Sequence, residues 1–193
     1  MDRENMQRLK SILVTLILGA SALAVSPGTL PRQSPEFDIY QSGGKTILLS
    51  SFKGKVVVIE FLFLGSQHCQ RVAQTLNKLH GELGVRGFQP IGIVFGPNAS
   101  EANVYAFVQS LRLTYPVGYT NAEAVDSYFG RQKNEILNIP QVVVIDRAGM
   151  ILAQSGGRGG DPKLENEDSL RVLLDALLKE SPPAQSTPKI LPR

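Results

Sequence analysis

The sequence predicts an α/β fold: a central mixed sheet with helices on both faces and a β-hairpin at its N-terminal end. Three observations carry this. The near-unbroken apolar runs VVVIEFLF (56–63), PIGIVFG (90–96) and QVVVID (141–146) have the pattern of strands covered on both sides. Between the first two, the period switches from two to the helical spacing of Cys69, Val72, Leu76, Leu79 and Leu83. Strands that alternate with helices in this way need crossover connections, and hence parallel neighbours.

In chain order, FDIY (37–40) and TILLS (46–50) flank QSGGK and read as a hairpin turning at Gly43 and Gly44. SFKGK leads into the strand at 56–63, and the helical stripe begins after Ser66. A second helix starts near Ser100 with Val104, Phe107, Val108 and Leu111 inward, and Pro116 lies beyond its end. Asn121 can cap a short helix through Val125, Tyr128 and Phe129 that Gly130 ends. Strand 141–146 turns at Arg147, Ala148 and Gly149 into MILAQ (150–154), and Asp168 can open a last helix on Leu170, Leu174 and Leu177. This places one domain at 36–179, followed by a disordered tail at 180–193 rich in proline and serine.

The N-terminal stretch has the form of an export signal. Arg3, Arg8 and Lys10 precede the apolar run Ile12 to Val25, which closes on Ala22, Leu23 and Ala24. Residues 1–25 are therefore expected to be a signal peptide or a membrane anchor, with 26–35 (SPGTLPRQSP) as a linker. The run falls short of the roughly 20 apolar residues of a spanning helix, which favours cleavage over anchoring. The expected location is the periplasm or the outer face of the cytoplasmic membrane.

Composition narrows the function classes. With 193 residues, 42% hydrophobic and 19% charged, the chain is an ordinary globular protein and neither disordered nor polytopic. One of its three net positive charges comes from the leader, and no basic helix interleaved with aromatics appears, so no nucleic acid is expected as a partner. Cys69 is the single cysteine, which forbids an internal disulfide; with His68 and His80 as the only histidines there is no zinc constellation. No metal and no cofactor are expected. Neither glycine-rich stretch, GGRGG (156–160) or GGKT (43–46), has the spacing of a phosphate cradle, and both read as turns.

The element order, with GKTILLSSFKGKVVVIEFLF at the front and NIPQVVVIDRAGMIL at the back, resembles the thioredoxin-like redoxins of the bacterial envelope, the TlpA-like thiol oxidoreductases of the AhpC/TSA redoxin superfamily. The resemblance covers roughly residues 36–178 and implies a thioredoxin-like fold. It also implies that Pro140, after Ile139, is cis and faces the active site, and that the partners are protein or small-molecule thiols and disulfides. The chain departs from the family at one point. Where members carry Trp-Cys-x-x-Cys, it reads Gly65-Ser66-Gln67-His68-Cys69. A serine hydroxyl cannot attack a disulfide at useful rate or form one with Cys69, so the two-thiol cycle is absent.

Six residues make up the candidate site. Cys69 is either a small core residue or a thiolate favoured by the helix N-terminus and by an imidazolium at His68. Glu60 interrupts an apolar strand, where an ionised carboxylate costs several kcal/mol unless it is paired or protonated. By resemblance to thioredoxins it lies beneath Cys69 as a general base, and the alternative is pairing with lysine or arginine. Ser66 caps the helix, or holds substrate by a hydrogen bond. Ile139 and Pro140 open a strand with one ladder donor missing, leaving backbone beside Cys69 on which an extended peptide can dock. His80 points away from the stripe and reads as solvated.

Three functions compete on these residues. The first is slow mixed-disulfide exchange through Cys69. The second is a non-catalytic module that binds an extended chain near Pro140. The third is an antioxidant one-cysteine peroxidase, suggested by Ser66 three residues before Cys69. It is weakened because peroxiredoxins resemble the chain less at Leu62, where they carry a proline, and at Pro140, about where they carry an arginine.

Overall fold

The computed structural model describes residues 29–132, 135–156 and 160–179. The expected signal segment, the first residues of the linker, the centre of the GGRGG turn and the tail lie outside these residues. Eight strands form one sheet: β1 (Arg32–Gln33), β2 (Asp38–Tyr40), β3 (Thr46–Leu48), β4 (Val56–Leu62), β5 (Phe88–Val94), β6 (Val117–Tyr119), β7 (Gln141–Ile145) and β8 (Met150–Gln154). Their spatial order is β1-β8-β7-β4-β5-β6-β2-β3. Among the described residues four α-helices accompany them: α1 (Gln67–Leu83), α2 (Glu101–Leu111), α3 (Ala122–Phe129) and α4 (Glu167–Lys179).

The parallel centre follows from the two crossovers. β4 pairs with β5 through α1, and β5 with β6 through α2, both in parallel register. β7 runs antiparallel to β4, and the β2–β3 hairpin joins the far side of β6 antiparallel. Its turn is made by Gly43 and Gly44, both at positive φ, where glycine meets no Cβ penalty. At Gly118 the reason for glycine is contact: a Cβ there would lie 2.6 Å from the Tyr40 carbonyl oxygen on β2.

All seven residues of β4 are buried, because the sheet is covered on both faces. Val56, Val58 and Leu62 face a core built with α1, α2 and α4. Val57, Ile59 and Phe61 face a second core that includes Phe37, Ile39, Val125 and Tyr128. In that second core Phe61 packs against the rings of Phe129, Tyr128 and Phe37, with centroids 5.0, 5.2 and 5.7 Å away. This aromatic anchor holds β4 in one register and so commits Glu60 to the opposite face, beneath α1.

Several boundaries differ from the sequence expectation. Arg32 and Gln33, within the expected linker, pair with Ile151 and Met150 of β8. β6 is an additional strand; at three residues it is too short for a periodicity to show. β5 begins two residues earlier than expected. The last helix opens at Glu167, with the Asn166 side chain accepting from the Ser169 amide at 3.2 Å, so Asn166 takes the role expected of Asp168. His80 is half-buried rather than solvated: its Nδ1 lies 3.1 Å from the Thr114 hydroxyl and its ring stands edge-on to Tyr115. The solvated face was inferred from α1 alone, and the segment that covers it comes from the far end of α2.

Candidate functional site

The site forms where β4 hands the chain to α1. After Leu62 the residues Phe63, Leu64 and Gly65 make a tight exit in which the Ser66 amide donates to the Phe63 carbonyl at 3.2 Å. Ser66 is extended, with φ −87° and ψ 116°, and its Oγ accepts from the Cys69 amide at 3.3 Å. It is therefore the N-cap, satisfying one of the donors that a helix start leaves free. Gln70 secures the same turn by donating from Nε2 to the Leu64 carbonyl at 3.0 Å. Replacing Ser66 by alanine is expected to cost about 1 kcal/mol of stability, and glycine only a few tenths, as read by urea denaturation.

Cys69 lies in the first turn of α1 and is wholly buried, at 0% exposure, in the core that α1 shares with α4. Burial pushes its thiol pKa up. Hydrogen bonding from the Ser66 side chain and the Phe63 backbone pulls the other way, and the charge of Glu60 adds to the rise. Desolvation outweighs the favourable helix start. In the resting structure the thiol is thus less ionised than a free cysteine.

Glu60 is also at 0% exposure, and neither of its carboxylate oxygens has a hydrogen-bond partner. No lysine or arginine pairs with it among the described residues. Burial raises its pKa well above the ordinary carboxylate range, and the Glu165 carboxylate raises it further. Glu60 stands opposite Val142 of β7, and Val142 belongs to the same core as Cys69. A third titratable group completes the buried set. Tyr115 donates its hydroxyl to the Ala73 carbonyl on α1 at 3.2 Å, and its pKa is raised by burial and then by Glu60.

The remaining expected residues sit around this core. His68 is half-exposed and its Nε2 lies 3.2 Å from a carboxylate oxygen of Glu165, the last residue of a 3-10 turn at Pro162–Glu165. The Ile139–Pro140 bond is cis, Pro140 is buried, and Ile139 packs against both cores. Because Gln141 pairs with Phe61, register brings Pro140 to the end of the sheet from which β4 leaves for Ser66. Gly65 is exposed, and a Cβ there would meet no atom within 4 Å, so this position leaves room for a larger residue.

Sequence reasoning did not find Glu165 or Tyr115. Both are brought in from distant segments, and neither carries a local signal of its role. No cluster of three metal-ligating side chains occurs among the described residues. A cavity of about 220 Å³ lined by Glu36, Lys53, Lys55, Val57 and Ile145 opens at the other end of β4, away from Cys69.

Known proteins resemble the chain in sequence and in fold. The ResA thiol-disulfide oxidoreductase of Bacillus thuringiensis subsp. konkukian is 21% identical over 171 residues, spanning 84% of this chain and 95% of its own. A solution structure of a putative protein disulfide isomerase from Bacteroides thetaiotaomicron superposes with a TM-score of 0.63 at 28% identity, covering 79% of this chain and 91% of that one. A putative thiol:disulfide interchange protein DsbE from Chlorobium tepidum shares the fold at a TM-score of 0.61 and 20% identity, over 77% and 96% of the two chains. The AhpC/TSA family matches residues 31–154, well over half of the sequence. The chain therefore belongs to the AhpC/TSA family and is a redoxin of the thioredoxin superfamily.

Proposed function

We propose that this redoxin acts outside the cytoplasm and exchanges disulfides slowly through one cysteine, Cys69. The observation that carries the reading is the placement of the chain's only thiol in the first turn of α1, over a buried carboxyl with no partner of its own. The Cys69 thiolate attacks one sulfur of a partner disulfide. A Cys69–partner bond forms, and the other sulfur leaves as a thiolate that takes up a proton. An external thiol then attacks the adduct, is itself oxidised into the new disulfide, and releases Cys69. Glu60 accepts the Cys69 proton when ionised and returns it on release; His68 adds positive charge beside the thiol when protonated. Ser66 and the backbone at Ile139 and Pro140 hold the partner chain.

Export rests on the apolar run Ile12 to Val25, which lies outside the described residues. Among the described residues no helix is long and apolar enough to cross a membrane.

The test is mass spectrometry of the folded protein with oxidised glutathione. A glutathione adduct on Cys69 that added thiol removes, and that Cys69→Ser lacks, is expected. A thiol that reacts no faster than the protein globally unfolds would sink the reading. One observation favours a second function, a non-catalytic module that docks an extended chain near Pro140: the complete burial of Cys69. Peptide binding that survives Cys69→Ser unchanged, without adduct formation, is the outcome that reading predicts.

A further inference from the structure

Four ion pairs join α1 and the 3-10 turn that follows it, Gly84–Arg86, to the C-terminal segment, and one of them touches the site. α1 and α4 pair in the same chain sense, with Lys78–Glu167 at 2.7 Å and Glu82–Arg171 at 2.6 Å, and Arg86, just past the end of α1, continues the series to Asp175 at 2.6 Å. The rung nearest the site is His68–Glu165. In the first turn of α1, Gln67 and His68 are exposed while Cys69, between this turn and the core below, is sealed. Nothing packs near Gly65 on the Cβ side; besides the burial of Cys69 and the Gln70–Ser66 backbone bond, the side-chain contacts at this turn are the Ser66 cap, the Gln70–Leu64 bond and this ion pair.

Glu165 is a well-fixed post. Its neighbour Leu164 is buried in the core that contains Cys69. The Asp161 side chain caps the 3-10 turn from the Lys163 amide at 3.0 Å, and the Asp161 amide donates to the Gln154 carbonyl of β8 at 2.9 Å. Glu165 is also far less exposed than the histidine it holds, 19% against 49% for the two side chains.

We propose that Glu165 is a positioning residue of this redoxin: by holding His68 it keeps the first turn of α1 closed over Cys69 and so sets how often the thiol opens to a partner. The inference rests on the reading that Cys69 exchanges disulfides, and adds what regulates it. The titratable groups that face this turn are Glu60 from β4 and Tyr115 from the segment before β6, both below it, and Glu165 from the 3-10 turn beside it.

The test is the rate at which Cys69 of the folded full-length chain reacts with an uncharged disulfide reagent, 4,4′-dithiodipyridine, at one pH and over a range of low urea concentrations. Glu165→Gln and His68→Gln are each expected to raise the rate about two- to fivefold, the range of a partly exposed ion pair. The double variant is expected to react no faster than either single one. The increase should be independent of urea, because only the first turn opens; a change in global stability would instead carry the urea slope of unfolding. His68→Lys, which keeps a cation for Glu165, should react as slowly as the parent. Equal rates in parent and Glu165→Gln, or an increase that follows the urea slope of unfolding, would overturn the proposal. The exchange reading is scored separately, by whether glutathione releases the adduct. An adduct that forms faster in Glu165→Gln yet resists glutathione sinks that reading and leaves the latch standing.

Discussion

Ser66→Cys is expected to give steady insulin reduction, roughly a hundredfold or more above the parent, for which negligible turnover is expected with one thiol. The present hydroxyl sits at the N-cap of α1, half-exposed, three residues before Cys69. A thiol at that position would point its sulfur at the same free amides, where partial positive charge favours thiolate. It would also supply the resolving partner that the mixed disulfide lacks, so that release would no longer await an external thiol. The cost is the cap, about 1 kcal/mol. Insulin turbidity and a count of free thiols after oxidation check the result. A variant that keeps two free thiols under oxidised glutathione and shows no turnover would show that the scaffold has lost more than one sulfur.

The second large effect concerns Glu60 and pH. Its native pKa is raised by burial and by Glu165, so above the ordinary carboxylate pKa the native state binds more protons at this residue than the unfolded chain does. Stability is accordingly full below the unfolded value near 4.5 and is lost as pH rises from there toward the native pKa. The slope in that window is roughly 1 kcal/mol per pH unit for this one group. Glu60→Gln, which cannot ionise, is expected to remove the slope and to be more stable than the parent at alkaline pH. Urea unfolding at a series of pH values from 5 to 9 reads the difference directly, and parallel profiles would contradict it. The same variant removes the charge that raises the Cys69 pKa, so its thiol should label at lower pH even as proton transfer during exchange is impaired.

The elements that could be read from the sequence are those whose signal is local. The hairpin was marked by Gly43 and Gly44, α2 by Ser100 and its inward Val104 and Phe107, and α3 by Asn121 and Gly130; each cap or turn residue makes the bond its chemistry suggests. Ser66 belongs with them. What escaped depends on partners far away in the chain. β1 exists because β8 is there to pair with it, and β6 because β5 and β2 flank it. His80 is covered by Thr114 and Tyr115. At the site, the near-unbroken apolar run of β4 identified Glu60 as an anomaly, but that both its oxygens lack partners is a tertiary fact. The pairing of His68 with a residue 97 positions later is of the same kind.

Both rims of the sheet end on strands too short to recruit another chain. β1 has two residues and β3 has three, so neighbouring backbone added at either border could form only a rung or two. Such stubs protect against polymerisation into larger sheets. They also bear on recognition: a client that docks as proposed on the backbone at Ile139 and Pro140, at the end of the sheet from which β4 leaves for Ser66, gains its contacts there instead of zipping along a border.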